Sequence, residues 1–182
     1  IYNEMLEAGR FDVMPYKGKD SGAYCLSLIN STPVFVLLNF TKKLGDISTI
    51  VHEMGHAIND HLMKVQNNLN YGVPLCIAEV SSTFMEDFVL EKLMNDADDE
   101  TKLSLMMEKL NDDISTIFRQ VACYKFEQDL HKTFREKNYL SSKYIGELFT
   151  KHMSAYMGDF VEQSAGSENW WVYWSHIRRF FY

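Results

Sequence analysis

Cysteine, proline and glycine are all scarce in this chain, which has three cysteines, three prolines and nine glycines in 182 residues. An odd number of widely spaced cysteines in apolar surroundings forms neither a disulfide framework nor a cysteine-rich zinc site, and it favours a reducing, cytoplasmic location. Few helix-breaking residues, together with ten methionines, favour long helices over a strand-rich fold. We therefore expect a mainly α fold.

Long apolar runs and clusters of basic residues are missing as well. The most apolar stretch, residues 34–40, has seven residues, far fewer than the roughly 18 that a membrane-spanning helix needs. Eighteen basic side chains oppose 25 acidic ones, which gives a formal charge of −7, and no basic patch could follow a phosphate backbone. These absences argue against a membrane segment and against nucleic acid as a partner.

The length predicts a single domain. The chain opens on Ile1 without an initiator methionine or a secretory signal, so we expect it to lie inside a longer protein.

Local patterns predict one strand and several helices. The β-branched and aromatic residues 34–40 predict a short strand, and the glycine-containing residues 17–22 before it predict a mobile loop or a hairpin tip. Apolar residues that recur every three or four positions predict helices, with Asp46 as an N-cap and Pro74 in a first helical position. The predicted helices cover residues 46–63, 74–94, 101–137 with a bend near 111–113, 141–157, and an aromatic closing helix from 170 onward. Residues 95–100 are predicted to form an acidic loop.

The motif His52-Glu53-Met54-Gly55-His56 carries the strongest chemical signal. Two histidines four residues apart lie one above the other on a helix, so both imidazoles can reach one metal ion, and this spacing suits Zn²⁺. Glu53 lies beside that face, where its carboxylate can hold a metal-bound water and accept its proton.

A zinc site that performs hydrolysis commonly has three protein ligands, and two histidines with one carboxylate form a standard set. Glu79 is the candidate for the third ligand, because the polar residues 67–72 would let the second helix fold back beside the first. The alternative for Glu79 is a solvated helix carboxylate. Glu86 continues the same face seven residues later and could orient one of the histidine ligands.

Five stretches together resemble a known family: Gly18-Lys19-Asp20-Ser21-Gly22-Ala23-Tyr24, Val36-Leu37-Leu38-Asn39-Phe40, the His-Glu-x-x-His motif, Ala78-Glu79-Val80-Ser81-Ser82-Thr83-Phe84-Met85-Glu86, and Thr116-Ile117-Phe118-Arg119-Gln120. Their order and spacing resemble oligoendopeptidase F, in the thimet-oligopeptidase-like group of zinc metallopeptidases. The resemblance implies a helical zincin-type catalytic domain with a strand or hairpin before the zinc-binding helix. It also implies that residues 1–182 are a catalytic-domain fragment of a longer peptidase, without the N-terminal helical region and the extreme C-terminus.

The resemblance implies roles for individual residues. It makes His52, His56 and Glu79 the zinc ligands and Glu53 the general base and acid. It also makes His176 and Tyr182 candidates for binding the substrate carbonyl. The family further implies that the strand at residues 34–40 offers an edge to an extended peptide, so that an oligopeptide is the expected substrate.

Other interpretations stay open at this stage. Glu127 and His131 are four residues apart and could bind a metal, but a hydrogen bond on or between helices is the more common role of such a pair. Trp170, Trp171 and Trp174 are expected to pack in the core or to line a peptide groove. The rival functions are a zinc exopeptidase, of carboxypeptidase or dipeptidyl type, and a noncatalytic zinc-stabilised module that binds peptides. The oligomeric state is not indicated by any pattern.

Overall fold

Helices dominate the computed structural model, which describes residues 1–43, 45–174 and 177. The mainly α fold expected from the sequence is confirmed. In chain order the helices are α1 Tyr2–Glu7, α2 Gly45–Met63, α3 Leu75–Asp96, α4 Asp99–Lys137 and α5 Ser142–Met157, and the strands are β1 Phe11–Asp12, β2 Tyr24–Leu26 and β3 Phe35–Leu37. The chain forms two compact units, Ile1–Thr101 and Lys102–Tyr182.

The three strands form one small sheet in the order β1-β3-β2, with β1 parallel and β2 antiparallel to β3. Val36 is buried while its neighbour Phe35 is exposed, as the alternation of side chains along a strand requires. The predicted strand therefore exists, as residues 35–37. Its predicted role was wrong, because β3 is the central strand and is paired on both sides, so it has no free edge for a peptide. The outer strands of this sheet are β1 and β2.

Helix α2 lies against the sheet and buries its apolar side there. Met54 and Ala57 of α2 form one cluster with buried side chains of α1 and of the β3 region, namely Met5, Val34, Val36 and Leu38. This packing fixes how α2 is rotated about its axis. The opposite side of α2 is thereby turned toward α3, which is the other element it contacts extensively.

Helices α2 and α3 approach each other very closely at Gly55. A Cβ atom placed on Gly55 would lie 2.5 Å from the Cα of Ser82 and 2.6 Å from the carbonyl oxygen of Ser81. Only glycine fits this contact, and Ser82 on the other side is fully buried.

Several local predictions in the first unit need correction. Helix α2 begins at Gly45, and the Asp46 carboxylate does not cap it but accepts hydrogen bonds from the backbone amides of Thr41 and Lys43. These bonds hold the pKa of Asp46 below its usual value. Pro74 is the N-cap of α3 and not its first helical residue. The acidic loop is shorter than expected, because α3 runs to Asp96 and α4 begins at Asp99.

The glycine-containing loop at residues 17–22 is tied to its surroundings. Lys19 Nζ donates to the Asp12 carboxylate and to the carbonyl of Met14, and Asn39 Nδ2 donates to the carbonyls of Asp20 and Gly22. The loop joins β1 to β2, which are not neighbours in the sheet, so the alternative of a hairpin tip was wrong.

The second unit is a helical cluster. Helix α4 is continuous through residues 111–113, where a bend was expected, and α5 is capped by Ser141, whose Oγ accepts from the backbone amide of Tyr144. Phe126 of α4 and Phe149 of α5 pack edge to face, with ring centroids 5.3 Å apart.

Ser167–Tyr173 form a 3₁₀ helix, and most of the closing helix predicted from residue 170 onward lies outside the described residues. Trp171 and Trp174 pack against the cluster of the second unit, whereas Trp170 is exposed, so the expectation of a core position fails for Trp170. No helix in the described part of the chain is long and apolar enough to span a membrane.

Candidate metal centre

The two histidines of the motif lie on the side of α2 that faces α3. The turn of the helix stacks His56 after His52, and their rings meet edge to face with centroids 4.9 Å apart. The Nε2 atoms of the two rings are 3.3 Å apart. Both imidazoles are partly buried. Their short Nε2–Nε2 distance means that each ring presents its Nε2 atom to a shared point.

Glu79 of α3 brings its carboxylate to the same point. Its Oε2 atom lies 3.2 Å from His52 Nε2 and 3.4 Å from His56 Nε2. Three ligands of a tetrahedral zinc ion, each about 2.0–2.1 Å from the metal, would be about 3.3 Å from one another. The three donor atoms therefore have the spacing that zinc requires, and the residues fit the ion. Among the described residues, they are also the one group of three or more His, Cys, Asp or Glu side chains that could hold a metal.

Carboxylates on both sides of the His52 ring set its electrostatics. Glu79 contacts Nε2, and Glu86 Oε1 forms a very short hydrogen bond with Nδ1. These two contacts raise the pKa of His52 to about 10 in the metal-free protein, and the histidines in turn hold the pKa of Glu79 far below its usual value. The two carboxylates thus favour the protonated form of His52 in the metal-free protein.

Glu53 is buried beside this group. Its residue surface is only 6% exposed, and this burial raises the pKa of its carboxyl, while the nearby His52 and His56 oppose the shift. The backbone amide of Cys25 in β2 donates a hydrogen bond to Glu53. Glu53 is consequently a carboxyl group of raised basicity that lies between the histidine pair and the outer strand of the sheet.

The remaining predicted site residues divide into two groups. His176 and Tyr182 lie outside the described residues. Glu127 and His131 lie in the second unit, where Glu127 Oε1 is 3.6 Å from His131 Nε2, in keeping with the interhelical or surface contact that the spacing favoured.

Ser82, three residues after Glu79 on α3, was quoted within the stretch that carries the family resemblance and had no role assigned. Its hydroxyl contacts the carboxylate of Glu79 at 2.7 Å. Gly55 was likewise part of the motif without a function, and the structure shows that it creates the close contact between the two helices. The role of Gly55 could not have been read from the sequence, because it depends on the register of α2 against α3. The contact of Ser82 with Glu79 joins residues three apart on one helix, a spacing that could have pointed to it.

Two imidazoles and a carboxylate from two packed helices, with a buried glutamate beside them, match in residue type the ligands and general base that zinc hydrolases use. Within the metallopeptidases, similarity to known proteins identifies one family. The model of Peptidase family M3 matches residues 1–182, and the chain belongs to this family of metallopeptidases.

Named relatives agree with the family. Oligoendopeptidase F (chromosomal) of Lactococcus lactis subsp. cremoris is 32% identical over 173 residues, which cover 94% of this chain and 28% of that protein. Oligopeptidase PepF of Bacillus subtilis (strain 168) is 30% identical over 186 residues, which cover 100% of this chain and 27% of that protein. The solved structure of PZ peptidase A with inhibitor 2 has a TM-score of 0.76 at 26% identity and covers 97% of this chain and 31% of that one. The chain thus spans little more than a quarter of these curated relatives.

Proposed function

We propose that the protein containing this chain is a zinc metalloendopeptidase that hydrolyses short, unstructured oligopeptides. The observation that carries the proposal is the triangle of donor atoms from His52, His56 and Glu79, whose sides are 3.2, 3.3 and 3.4 Å. Membership of Peptidase family M3 and the likeness to oligoendopeptidase F support the reaction class.

His52, His56 and Glu79 would hold the zinc ion through Nε2, Nε2 and Oε2. Zinc, when bound, polarises the scissile carbonyl and acidifies a coordinated water. The histidines bind as neutral imidazoles, and the contact of Glu86 with His52 Nδ1 determines which ring nitrogen of His52 carries the proton. It keeps the remaining proton on Nδ1 and leaves the lone pair of Nε2 for the metal.

Glu53 would serve as the general base and then as the general acid. It accepts the proton of the attacking water and delivers it to the nitrogen of the leaving amine. Its burial favours this role, because burial raises the pKa of the carboxyl toward the range in which a group both takes up and releases a proton near neutral pH. A backbone amide of Cys25 fixes the carboxylate in place.

The outer edge of β2 is the proposed docking edge for the peptide backbone. β2 is an outer strand of the described sheet, and it contacts α2, the helix that carries Glu53. An extended peptide that pairs with this edge would be held by main-chain hydrogen bonds, which do not depend on the side chains of the substrate. Broad specificity for unstructured oligopeptides follows from such binding.

The decisive variant for this mechanism is Glu53→Gln. The amide preserves the size of the side chain and cannot accept the proton, so we expect a loss of about 10²–10⁴-fold in kcat with one equivalent of zinc retained. Glu127→Gln is the matched control, since Glu127 is also buried and on a helix but lies in the second unit. Unchanged turnover in Glu53→Gln would refute the role of Glu53.

A peptide blocked at both ends separates the proposed endopeptidase from the exopeptidase rivals. Internal cleavage of the blocked peptide is expected, whereas a carboxypeptidase needs a free C-terminus. Zinc binding without cleavage of any peptide would instead support a noncatalytic binding module.

Two further statements stay predictions. His176 and Tyr182 are expected, from the family resemblance, to bind the substrate carbonyl. A reducing cytoplasmic location fits the free thiols of Cys25 and Cys123.

A further inference from the structure

Ser82 occupies a fixed place in the contact between α2 and α3. It is 0% exposed, and its Cα lies only 2.5 Å from where a Cβ of Gly55 would be. The backbone at Ser82 thus lies so close to α2 that Gly55 has no room for a side chain. A hydroxyl group held this firmly can act as a fixed donor for a more mobile side chain.

The hydroxyl of Ser82 is directed at the carboxylate of Glu79. Its Oγ lies 2.7 Å from Glu79 Oε2 and 3.0 Å from the backbone carbonyl of Glu79. A serine hydroxyl has one proton to donate, and a bond to a charged acceptor is shorter and stronger than one to a neutral carbonyl. The proton is therefore assigned to Oε2.

The atom that accepts this bond is the same atom that completes the donor triangle. Glu79 Oε2 is the oxygen that lies 3.2 Å from His52 Nε2 and 3.4 Å from His56 Nε2. In the metal-free protein the two imidazoles also hold this oxygen. Once the imidazole nitrogens bind a cation, they can no longer donate to Glu79. Beside the cation itself, the bond from Ser82 then restrains a side chain that is 58% exposed.

We propose that Ser82 is a positioning residue for the third ligand, fixing Oε2 of Glu79 at the apex of the donor triangle. This inference rests on the proposed metal centre but is separate from the catalytic step. It explains why a polar residue lies fully buried in the contact of two helices. Ser82 would raise the affinity for the metal without itself being a ligand.

The test compares Ser82→Ala with Thr83→Ala. The hydroxyl of Thr83 donates to the same backbone carbonyl of Glu79, at 2.7 Å, and makes no contact with the carboxylate. Zinc affinity is measured by competition with a chromophoric chelator. We expect Ser82→Ala to bind zinc about 10–100-fold more weakly, as is typical when a group that orients a metal ligand is lost, and Thr83→Ala to bind as the parent protein does.

Two further measurements separate positioning from a purely structural role. The visible spectrum of the Co²⁺-substituted protein should change in Ser82→Ala, because the cobalt bands respond to the geometry of the ligands. In the background of Glu79→Ala, the substitution Ser82→Ala should no longer alter zinc affinity, because the two effects act through one carboxylate.

The outcomes distinguish this inference from the proposed function. If the parent protein binds no zinc at the centre, the proposed function itself fails. If the parent binds zinc and Ser82→Ala binds it equally well, Ser82 is not a positioning residue. A lowered melting temperature in the metal-free Ser82→Ala protein, with unchanged zinc affinity and an unchanged cobalt spectrum, would likewise overturn the inference in favour of simple packing.

Discussion

Histidine and glutamate side chains meet in two regions of this molecule, with different results. On α4, Glu127 Oε1 and His131 Nε2 come from one helix and are 3.6 Å apart. At the contact of α2 and α3, two histidines of one helix meet the glutamate of another, and three donor atoms converge. The i, i+4 spacing alone brings two side chains together, whereas a centre with metal-binding geometry needs a donor from a second helix.

The difference lies in how the helices pack. The second unit buries aromatic and aliphatic side chains, among them Phe126, Phe149 and Met153, and such side chains keep helix axes well apart. Gly55 instead removes the side chain at the contact, so that α3 can bring Glu79 within reach of the imidazoles. The close approach of the α2 and α3 backbones brings Glu79 to the histidine pair, so that three donor atoms form a triangle.

Removal of a histidine should have the largest effect and should affect only one region. His56→Ala deletes one of three proposed ligands, and we expect zinc affinity to fall by about a hundredfold or more, since each ligand of a zinc site contributes several kcal/mol. His131→Ala should leave zinc affinity unchanged. Isothermal titration of both variants checks this, and equal losses would show that the two regions do not differ as described.

The close contact at Gly55 can be tested against a glycine of the second unit. Gly55→Ala should lower the free energy of unfolding by about 1–3 kcal/mol, because the new methyl group meets backbone atoms that cannot yield. Zinc binding should weaken as well, since α3 must move away. In Gly146→Ala of α5, the new Cβ atom would lie 3.2 Å from the backbone carbonyl oxygen of Glu168, a tight but milder contact. We expect the free energy of unfolding to change by less than about 1 kcal/mol, because the higher helix propensity of alanine offsets this contact. Urea unfolding of both variants measures the difference.

The carboxylate behind His52 has a counterpart in the second unit. Glu86 contacts His52 Nδ1, and Asp129 Oδ2 lies 2.9 Å from His152 Nε2. Glu86→Gln should weaken zinc binding by about tenfold, whereas Asp129→Asn should not affect it. If Glu86→Gln and the parent protein bind zinc with the same affinity, Glu86 does not orient His52 for the metal.

The metal-free protein should lose stability as the pH rises, and bound zinc should remove this loss. In the metal-free protein the pKa of His52, about 10, is above its ordinary value of 6.5. Its proton therefore stabilises the fold fully below pH 6.5, and this stabilisation is lost as the pH rises toward 10. Zinc must displace the same proton, so the gain in melting temperature on adding zinc should grow over this range.

The control variant for this prediction is His52→Gln, which lacks the imidazole that titrates. With a chelator present, the parent protein should lose more stability than His52→Gln between pH 6.5 and 9. Identical slopes would mean that Glu79 and Glu86 do not hold a proton on His52.

The sequence predicted the parts of the fold that depend on periodic patterns. The helices around the motif, α2 and α3, were expected within two residues of their ends, because their apolar residues recur at helical spacing. Errors occurred where tertiary contacts decide the local structure. Asp46 turns back to the preceding loop, and the strand at residues 34–40 lies between two others although its pattern cannot show how many neighbours it has.

The candidate site was predictable to a similar degree. His52, Glu53 and His56 follow from their spacing on one helix, and Glu79 and Glu86 from the need for a third donor on a helix folded back alongside. The role of Gly55 was not predictable, since it depends on which turn of α3 lies against which turn of α2. The contact of Ser82 with Glu79 joins residues three apart on one helix, so their spacing could have indicated it.

The measurement that tests the central claim most directly is X-ray diffraction from crystals of the zinc-loaded protein, recorded on both sides of the zinc absorption edge. The account predicts one anomalous peak in the first unit, about 2.0–2.2 Å from His52 Nε2, His56 Nε2 and Glu79 Oε2. A peak that is bound by the two histidines without Glu79, or that lies at Glu127 and His131 instead, would contradict it.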